Sequence, residues 1–357
     1  MKFDDFDLVP WLNDAKGVMF DLANSAAMPP SLKSLGIDLE GVPLGYANIG
    51  GFPELRTTVA EVYDIEEKEV ALTSGTQEAS FLALASLTKP GGKVAVEVPS
   101  YPPVYTLPKA LGCNVVPLKR LYTNDFAVQI GDVEGALKKG AKVICLTNPH
   151  NPSGKAIGAK NLAEICQLAE SFKVYVIVDE IYKELMPKQP PLARHISESA
   201  MTVSGIAKAY GMGGVRVGWG IGPSWLTKKM HLAKDYVSVS NSTHGETIAI
   251  AALKQRAKIL PKAQKYVQEN LVTVDEFMSS QRSLAWVKPD GVNICFPKLP
   301  KGVKSIDFCK KALKIGVLLA PGKYFGQEGH VRLTFGCPKA ELKGGLKELK
   351  NLLEEYR

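Results

Sequence analysis

The chain has 357 residues, 45% of them hydrophobic and 22% charged, and carries a formal net charge of +8. That length suits one large domain plus a smaller one, and the composition is that of an ordinary globular protein rather than a disordered or fibrous one. Lysines and acids interleave along the chain with no basic block among aromatics, which argues against nucleic-acid binding and leaves a mildly basic surface suited to small anionic substrates.

The start, M-K-F-D-D-F-D, is acidic where a signal peptide would be basic, and no apolar run approaches the roughly 18 residues that span a membrane. Cys113, Cys145, Cys166, Cys295, Cys309 and Cys337 form no CxxC pair, and several lie in apolar runs, the pattern of reduced buried thiols. The expectation is a soluble cytoplasmic protein. His150, His195, His231, His244 and His330 are scattered without ligand spacing, so no metal site is expected.

Residues 1–41, with Pro10, Pro29 and Pro30, read as an arm. A glycine-rich loop follows from Leu44, and Pro53 suits the first turn of a helix. From Glu69 a pattern recurs. E-V-A-L-T-S-G is a strand ending in small polar residues, and T-Q-E-A-S-F-L-A-L-A-S-L is a helix apolar on most sides. The strands K-V-A-V-E-V, K-V-I-C-L and K-V-Y-V-I-V stop at P-S-Y-P-P, T-N-P-H-N-P-S-G and D-E-I-Y, and residues 161–171 have helical spacing. Met201 to Val203 is one more strand. Short apolar strands alternating with helices predict an α/β fold, a mostly parallel sheet sandwiched by helices.

Beyond Trp219 the alternation stops. Residues 243–282 read as long helical sequence with a break or kink at Pro261, followed by strands and a final amphipathic helix through Leu342, Leu346, Leu349, Leu353 and Tyr356. The expected division is 1–41 as an arm and part of the small domain, 42–250 as the large domain, and 251–357 as the small α+β domain completed by both chain ends.

In open sheets of this kind ligands bind beyond the carboxyl ends of the strands, where every polar cluster above falls. Ser74-Gly75-Thr76 joins a strand end to a helix start, an anion site or a simple cap. Tyr101, between prolines, offers a flat face or a core phenol. Asp179 ends a buried strand, where a carboxylate needs a cation or donor, and Tyr182 follows within one turn. Asn151 is fixed between prolines. Lys208 follows the strand Met201–Val203, ahead of Gly211, Gly213, Gly214 and Gly218, with Arg216 supplying a guanidinium fork. A desolvated lysine sheds its proton and attacks carbonyls; an exposed turn lysine is the ordinary alternative. Amine, phosphate cradle, aromatic face, carboxylate and phenol together match the needs of a pyridine aldehyde bearing a phosphate.

G-I-A-K-A-Y-G-M-G-G-V-R-V-G (205–218) resembles the lysine-attachment signature of class I pyridoxal-phosphate aminotransferases of fold type I, the group that includes aspartate aminotransferases. Y-A-N-I-G-G-F-P-E-L-R, T-S-G-T-Q-E-A, P-S-Y-P-P-V-Y, N-P-H-N-P-S-G, D-E-I-Y, P-G-K-Y-F-G and V-R-L-T-F-G accompany it in the family's order, so the resemblance covers nearly the whole chain. It implies that Lys208 forms the Schiff base with pyridoxal 5'-phosphate and shuttles the proton, that Asp179 holds the pyridinium, and that Asn151 and Tyr182 bond the phenolic oxygen. Tyr101 would stack on the ring, Gly75, Thr76 and Arg216 would hold the phosphate, and Arg332 would clamp the substrate carboxylate beside Asn151. Tyr46 would reach across from the second subunit of a homodimer.

Two places depart from the pattern. Family members often carry a phosphate-contacting serine three residues before the lysine; here Gly205 stands there, and the role falls to Ser204. The family's glycine-containing pocket stretch near the N-terminus is replaced by D-L-A-N-S-A-A-M-P-P. The resemblance implies transamination between an L-amino acid, aspartate first, and a 2-oxo acid. A β-lyase or decarboxylase on the same fold would share these residues. A dinucleotide-binding module fits less well, because Arg216 occupies the third glycine position of G-x-G-x-x-G.

Overall fold

The computed structural model describes residues 5–46 and 48–356. Its strands are β1 (Phe20–Asp21), β2 (Val70–Thr73), β3 (Lys93–Val98), β4 (Asn114–Lys119), β5 (Ala141–Thr147), β6 (Tyr175–Asp179), β7 (Ala200–Gly205), β8 (Gly218–Ile221), β9 (Ile294–Cys295), β10 (Val317–Leu318), β11 (Ala320–Pro321) and β12 (Val331–Thr334). Seven of them form one sheet in the order β2-β8-β7-β6-β5-β3-β4. All neighbouring pairs are parallel except those of β8, which runs antiparallel to both β2 and β7. The expected mostly parallel sheet with covering helices is therefore present.

The apolar runs of β2 and β7 are buried throughout, as strands covered on both faces must be. One core packs Val143, Ile177, Met201 and Val203 against Leu82 of the helix Thr76–Leu87, and another packs Ile144, Val176 and Val178 against Leu162 and Ile165 of the helix Ala159–Ser171. Successive residues of β5 and β6 thus serve opposite faces, following the two-residue period of a strand.

Two strands of the main sheet escaped the sequence reading. β4 is an edge strand that contains Pro117, tolerable only where an N–H is not needed by a neighbour. β8 is G-W-G-I, whose glycines suggest a loop. Gly220 is small because an added Cβ would lie 2.4 Å from the Met201 methyl. The long helical region also breaks elsewhere than expected: helices Thr243–Lys254 and Arg256–Ser280 meet at Gln255, and the second runs through Pro261.

The chain ends meet. β1 pairs in parallel with β10 (Phe20↔Val317), while β11, β12 and β9 form a separate antiparallel sheet. Leu22 packs with Leu342, Leu346 and Leu349 of the last helix (Lys339–Leu353), so residues 20–28 are carried past the carboxyl ends of the main sheet. No helix among the described residues is long and apolar enough to cross a membrane.

Candidate active site

A cleft of about 630 Å³ opens beyond the carboxyl ends of the main-sheet strands, between the sheet and the segment 21–29. Lys208, Asp179, Tyr182, Tyr101, Asn151, Thr76, Arg216 and Arg332 all line it. They are separated by up to 256 residues of sequence (Thr76 to Arg332); the main-sheet strand order gathers all but Arg332, which arrives on β12 of the separate antiparallel sheet.

One end of the cleft is a cradle for an anion. Gly75, at φ 92°, caps the helix Thr76–Leu87, whose first N–H groups have no intrahelical partner. The Arg216 guanidinium lies over it, Nη2 donating to Ser74 O at 3.1 Å and Nη1 to Gly213 O at 3.0 Å. Close approach here requires glycine: a Cβ on Gly218 would stand 2.6 Å from both Gly75 C and Thr76 N, and one on Gly75 2.5 Å from Arg216 Nη2. The Thr76 hydroxyl is buried without a hydrogen-bond partner. A buried hydroxyl with no partner beside a guanidinium and a helix start fits a bound phosphate.

At the centre, burial pushes the Asp179 carboxyl up to about 7, against the Ile181 N–H that donates to its Oδ1 at 3.0 Å and the attraction of Lys208. Burial, then repulsion from Arg332, pushes the Lys208 amine down to about 8, with Asp179 opposing. Its Nζ donates to Ser25 Oγ at 3.0 Å and lies 5.8 Å from the Tyr182 ring centroid. An amine that sheds its proton near neutral pH is a nucleophile and a base. Burial raises the Tyr182 phenol and pushes Tyr101 up to about 12, so both stay protonated.

The other end holds Arg332, buried on β12 with its guanidinium carbon 4.9 Å from the Phe325 ring centroid. Nη1 donates to Asn151 Oδ1 at 3.2 Å, Nη2 donates to Ala23 O at 2.8 Å, and Nε has no partner. Asn151 Nδ2 in turn donates to the Tyr182 hydroxyl at 3.4 Å. The Asn151 loop is held from below by the buried Glu97, which receives Arg120 Nη1 at 2.8 Å and Thr147 N at 2.7 Å, while Thr147 Oγ1 accepts from Asn151 N at 3.3 Å.

Ser204 requires a correction. Thr202, two residues earlier on β7, donates to Glu180, and Ser204 shares that face, lining a second cavity of about 280 Å³ with Tyr63, Glu180 and Arg256. The face toward the cradle belongs to Gly205, where a Cβ would stand 2.7 Å from Val217 O and 3.2 Å from Thr76 Oγ1. No side chain fits there, so Ser204 is not a phosphate contact from this chain. Tyr46 is 77% exposed and does not line the cleft of its own chain.

Two features were missed. Ser25 meets both Lys208 and Tyr182, and the arm itself closes one wall through Phe6, Leu8, Val9 and Leu12, with Phe6 edge-on to Tyr101 at 5.7 Å. The one available signal was the departure at D-L-A-N-S-A-A, which marked that stretch as a pocket wall.

The family model described as aminotransferase class I and II matches residues 21–349. Capreomycidine synthase from Streptomyces vinaceus is 29% identical over 78% of this chain and 72% of its own length. Aspartate aminotransferase from Streptomyces avermitilis is 25% identical over 87% of this chain and 82% of its own. Among solved structures, a PLP-dependent aminotransferase from Streptococcus suis superposes with a TM-score of 0.95 at 27% identity, covering 100% of this chain and 99% of that one.

Proposed function

The chain belongs to the class I and II aminotransferase family and is a pyridoxal-phosphate enzyme, and from that premise we propose that it moves an amino group from an L-amino acid to a 2-oxo acid. The observation that carries this is one cleft in which the Lys208 amine, pushed down to about 8, shares the space with the half-buried Asp179 and the buried guanidinium of Arg332. Bound there, the cofactor supplies an electron sink for charge at the substrate Cα.

Each residue has a place in this scheme. Gly75, Thr76 and Arg216 take the phosphate, Tyr101 the ring face, Asp179 the ring nitrogen, and Asn151 with Tyr182 the phenolic oxygen. Arg332 binds the substrate carboxylate through a guanidinium whose Nε is still without a partner. Lys208, as the free amine, takes the proton from the substrate Cα and delivers it to the cofactor rather than back to Cα. Transfer in two half-reactions gives ping-pong kinetics. Residues 42–250 form the cofactor-binding domain, and 1–41 with 251–357 the smaller one.

Aspartate is the first donor to try, on the strength of the aspartate aminotransferase relative. The capreomycidine synthase relative is named for an outcome other than amino transfer, which keeps a second reading in view, a lyase or decarboxylase on the same residues. Loading the protein with pyridoxal phosphate and following its visible absorption as amino acids are added one at a time separates them. Conversion to the amino form of the cofactor supports transamination and names the donor. Steady release of ammonia and a 2-oxo acid without an acceptor supports the lyase. Lys208→Ala should keep cofactor non-covalently and lose at least ~10²-fold in turnover; near-normal turnover refutes the scheme.

The active form in this proposal is a cytoplasmic homodimer. Leu44, Tyr46, Ile49 and Tyr236 are 92%, 77%, 68% and 93% exposed, apolar surface that a second copy would cover, with Tyr46 delivered to the neighbouring phosphate. All six cysteines are unpaired, in keeping with a reducing compartment. Sedimentation tests the dimer: a monomeric Tyr46→Ala protein, or a monomeric active wild type, would decide for or against this interface.

A further inference from the structure

Ser25 is buried in the segment that crosses the cleft, with 5% of its surface exposed. Two donors converge on its Oγ: Lys208 Nζ at 3.0 Å and the Tyr182 hydroxyl at 2.8 Å. The backbone around it is pinned. Asn293 Nδ2 donates to Ser25 O and Ala26 O, each at 3.2 Å, and Ala27 N donates to Lys208 O at 2.9 Å. Gly336 completes the seat, since a Cβ there would lie 2.2 Å from Ala26 O. The segment is thus stitched to the residue whose amine it meets, and its hydroxyl has little freedom to turn elsewhere.

We propose that Ser25 is a positioning residue for Lys208, its Oγ fixing the orientation in which the free amine faces the substrate side of the cleft. The inference rests on the assignment of Lys208 as the base. With one N–H tied to Oγ, the lone pair of the neutral amine is directed away from Ser25, and rotation of the long side chain into other rotamers is restrained. The same oxygen favours the ammonium form, opposing the burial that favours the amine. In the cofactor-free protein Tyr182 donates to Oγ from its other side and keeps the acceptor aimed at the lysine. The remaining charged or titratable groups facing Lys208 are Asp179, Arg332, Arg216 and the Tyr101 phenol, and none of them changes when Ser25 is substituted.

The first test uses the cofactor-free protein. The pH dependence of reductive methylation of Lys208, read by mass spectrometry, reports the titration of its amine. In Ser25→Ala the midpoint should fall below that of the wild type, and in Ser25→Thr, which keeps the oxygen, it should stay. In the loaded enzyme Ser25→Ala should lower kcat by about tenfold with KM within about twofold, and Ser25→Thr should recover most of the loss. Ser25→Gly makes the same deletion if Ser25→Ala fails to fold. An unchanged midpoint with kcat within about twofold of wild type overturns the proposal, as does a threonine variant that behaves like alanine. A loaded protein that transaminates no amino acid would sink the proposed function while the lysine titration still decides the role of Ser25.

Discussion

Asp179→Asn should stabilise the cofactor-free protein and weaken its hold on the cofactor. Burial raises the Asp179 carboxyl from an ordinary 3.8 to about 7. A carboxyl whose folded-state pKa lies above its unfolded value favours folding least when ionised. Its penalty begins as pH rises through about 4, grows until about 7, and is constant above. Well above both values it amounts to ~4 kcal/mol, and at pH 5 to ~2 kcal/mol. Both figures are ceilings, because the carboxyl is partly open to the cleft. The expected gain for Asp179→Asn at pH 8 is therefore ~2–3 kcal/mol, shrinking toward pH 5. Asparagine preserves the acceptor for the Ile181 N–H, so little else should change. Urea unfolding of the cofactor-free proteins at pH 5 and pH 8 measures the gain. Cofactor titration at pH 8 should show the opposite sign, a loss of about 10²-fold or more, since a buried cation is left without its carboxylate. If the variant is no more stable than wild type at pH 8, or its advantage does not shrink at pH 5, burial of an unpaired Asp179 is not what the protein endures in the absence of cofactor.

Arg332→Ala should leave cofactor binding nearly unchanged and cut kcat/KM for amino acids by ~10²–10⁴-fold, two charge-assisted hydrogen bonds at ~1.5–3 kcal/mol each. A simple amine without a carboxylate should not feel the substitution, and stopped-flow half-reactions with both substrates would reveal it. Gly218→Ala should push the start of the helix Thr76–Leu87 off Gly75 and Thr76, costing ~1–3 kcal/mol of stability together with cofactor affinity; a fluorescence titration at wild-type affinity would contradict the cradle. Capture of pyridoxal phosphate by the cofactor-free protein should accelerate as pH rises toward about 8 and then level, because the neutral Lys208 amine is the attacking species. A profile still climbing at pH 10 would mean an unperturbed lysine.

Much of this protein was legible in its sequence because the signals are local. A buried parallel strand must be continuously apolar, as V-A-L-T and V-I-V are, and a helix over a sheet must carry its stripe, so the alternating architecture and the polar strand ends could be read directly. Those ends lie side by side only because the sheet is parallel, which made the grouping of Lys208, Asp179, Thr76 and Arg216 a consequence of topology rather than of any one motif. β4 and β8 escaped notice because an edge position excuses Pro117, and because the glycines of G-W-G-I answer to neighbours such as the Met201 methyl, not to their own strand.

Tertiary structure decided the rest. Which face of β7 a residue serves depends on register with Glu180 and with the turn at Gly75, and that register sent Ser204 to the second cavity and required glycine at 205. The contact between Ser25 and Lys208 spans 183 residues and exists because β1 pairs with β10, docking the arm across the cleft. The ionisation of Asp179 and Lys208 follows from that closure, since burial from several directions is what moves both groups toward neutrality. Residue types and their order along the chain determined which chemistry was available. How dry the cleft is, which hydroxyl meets the amine, and which side chains turn away from it were decided only when distant segments packed.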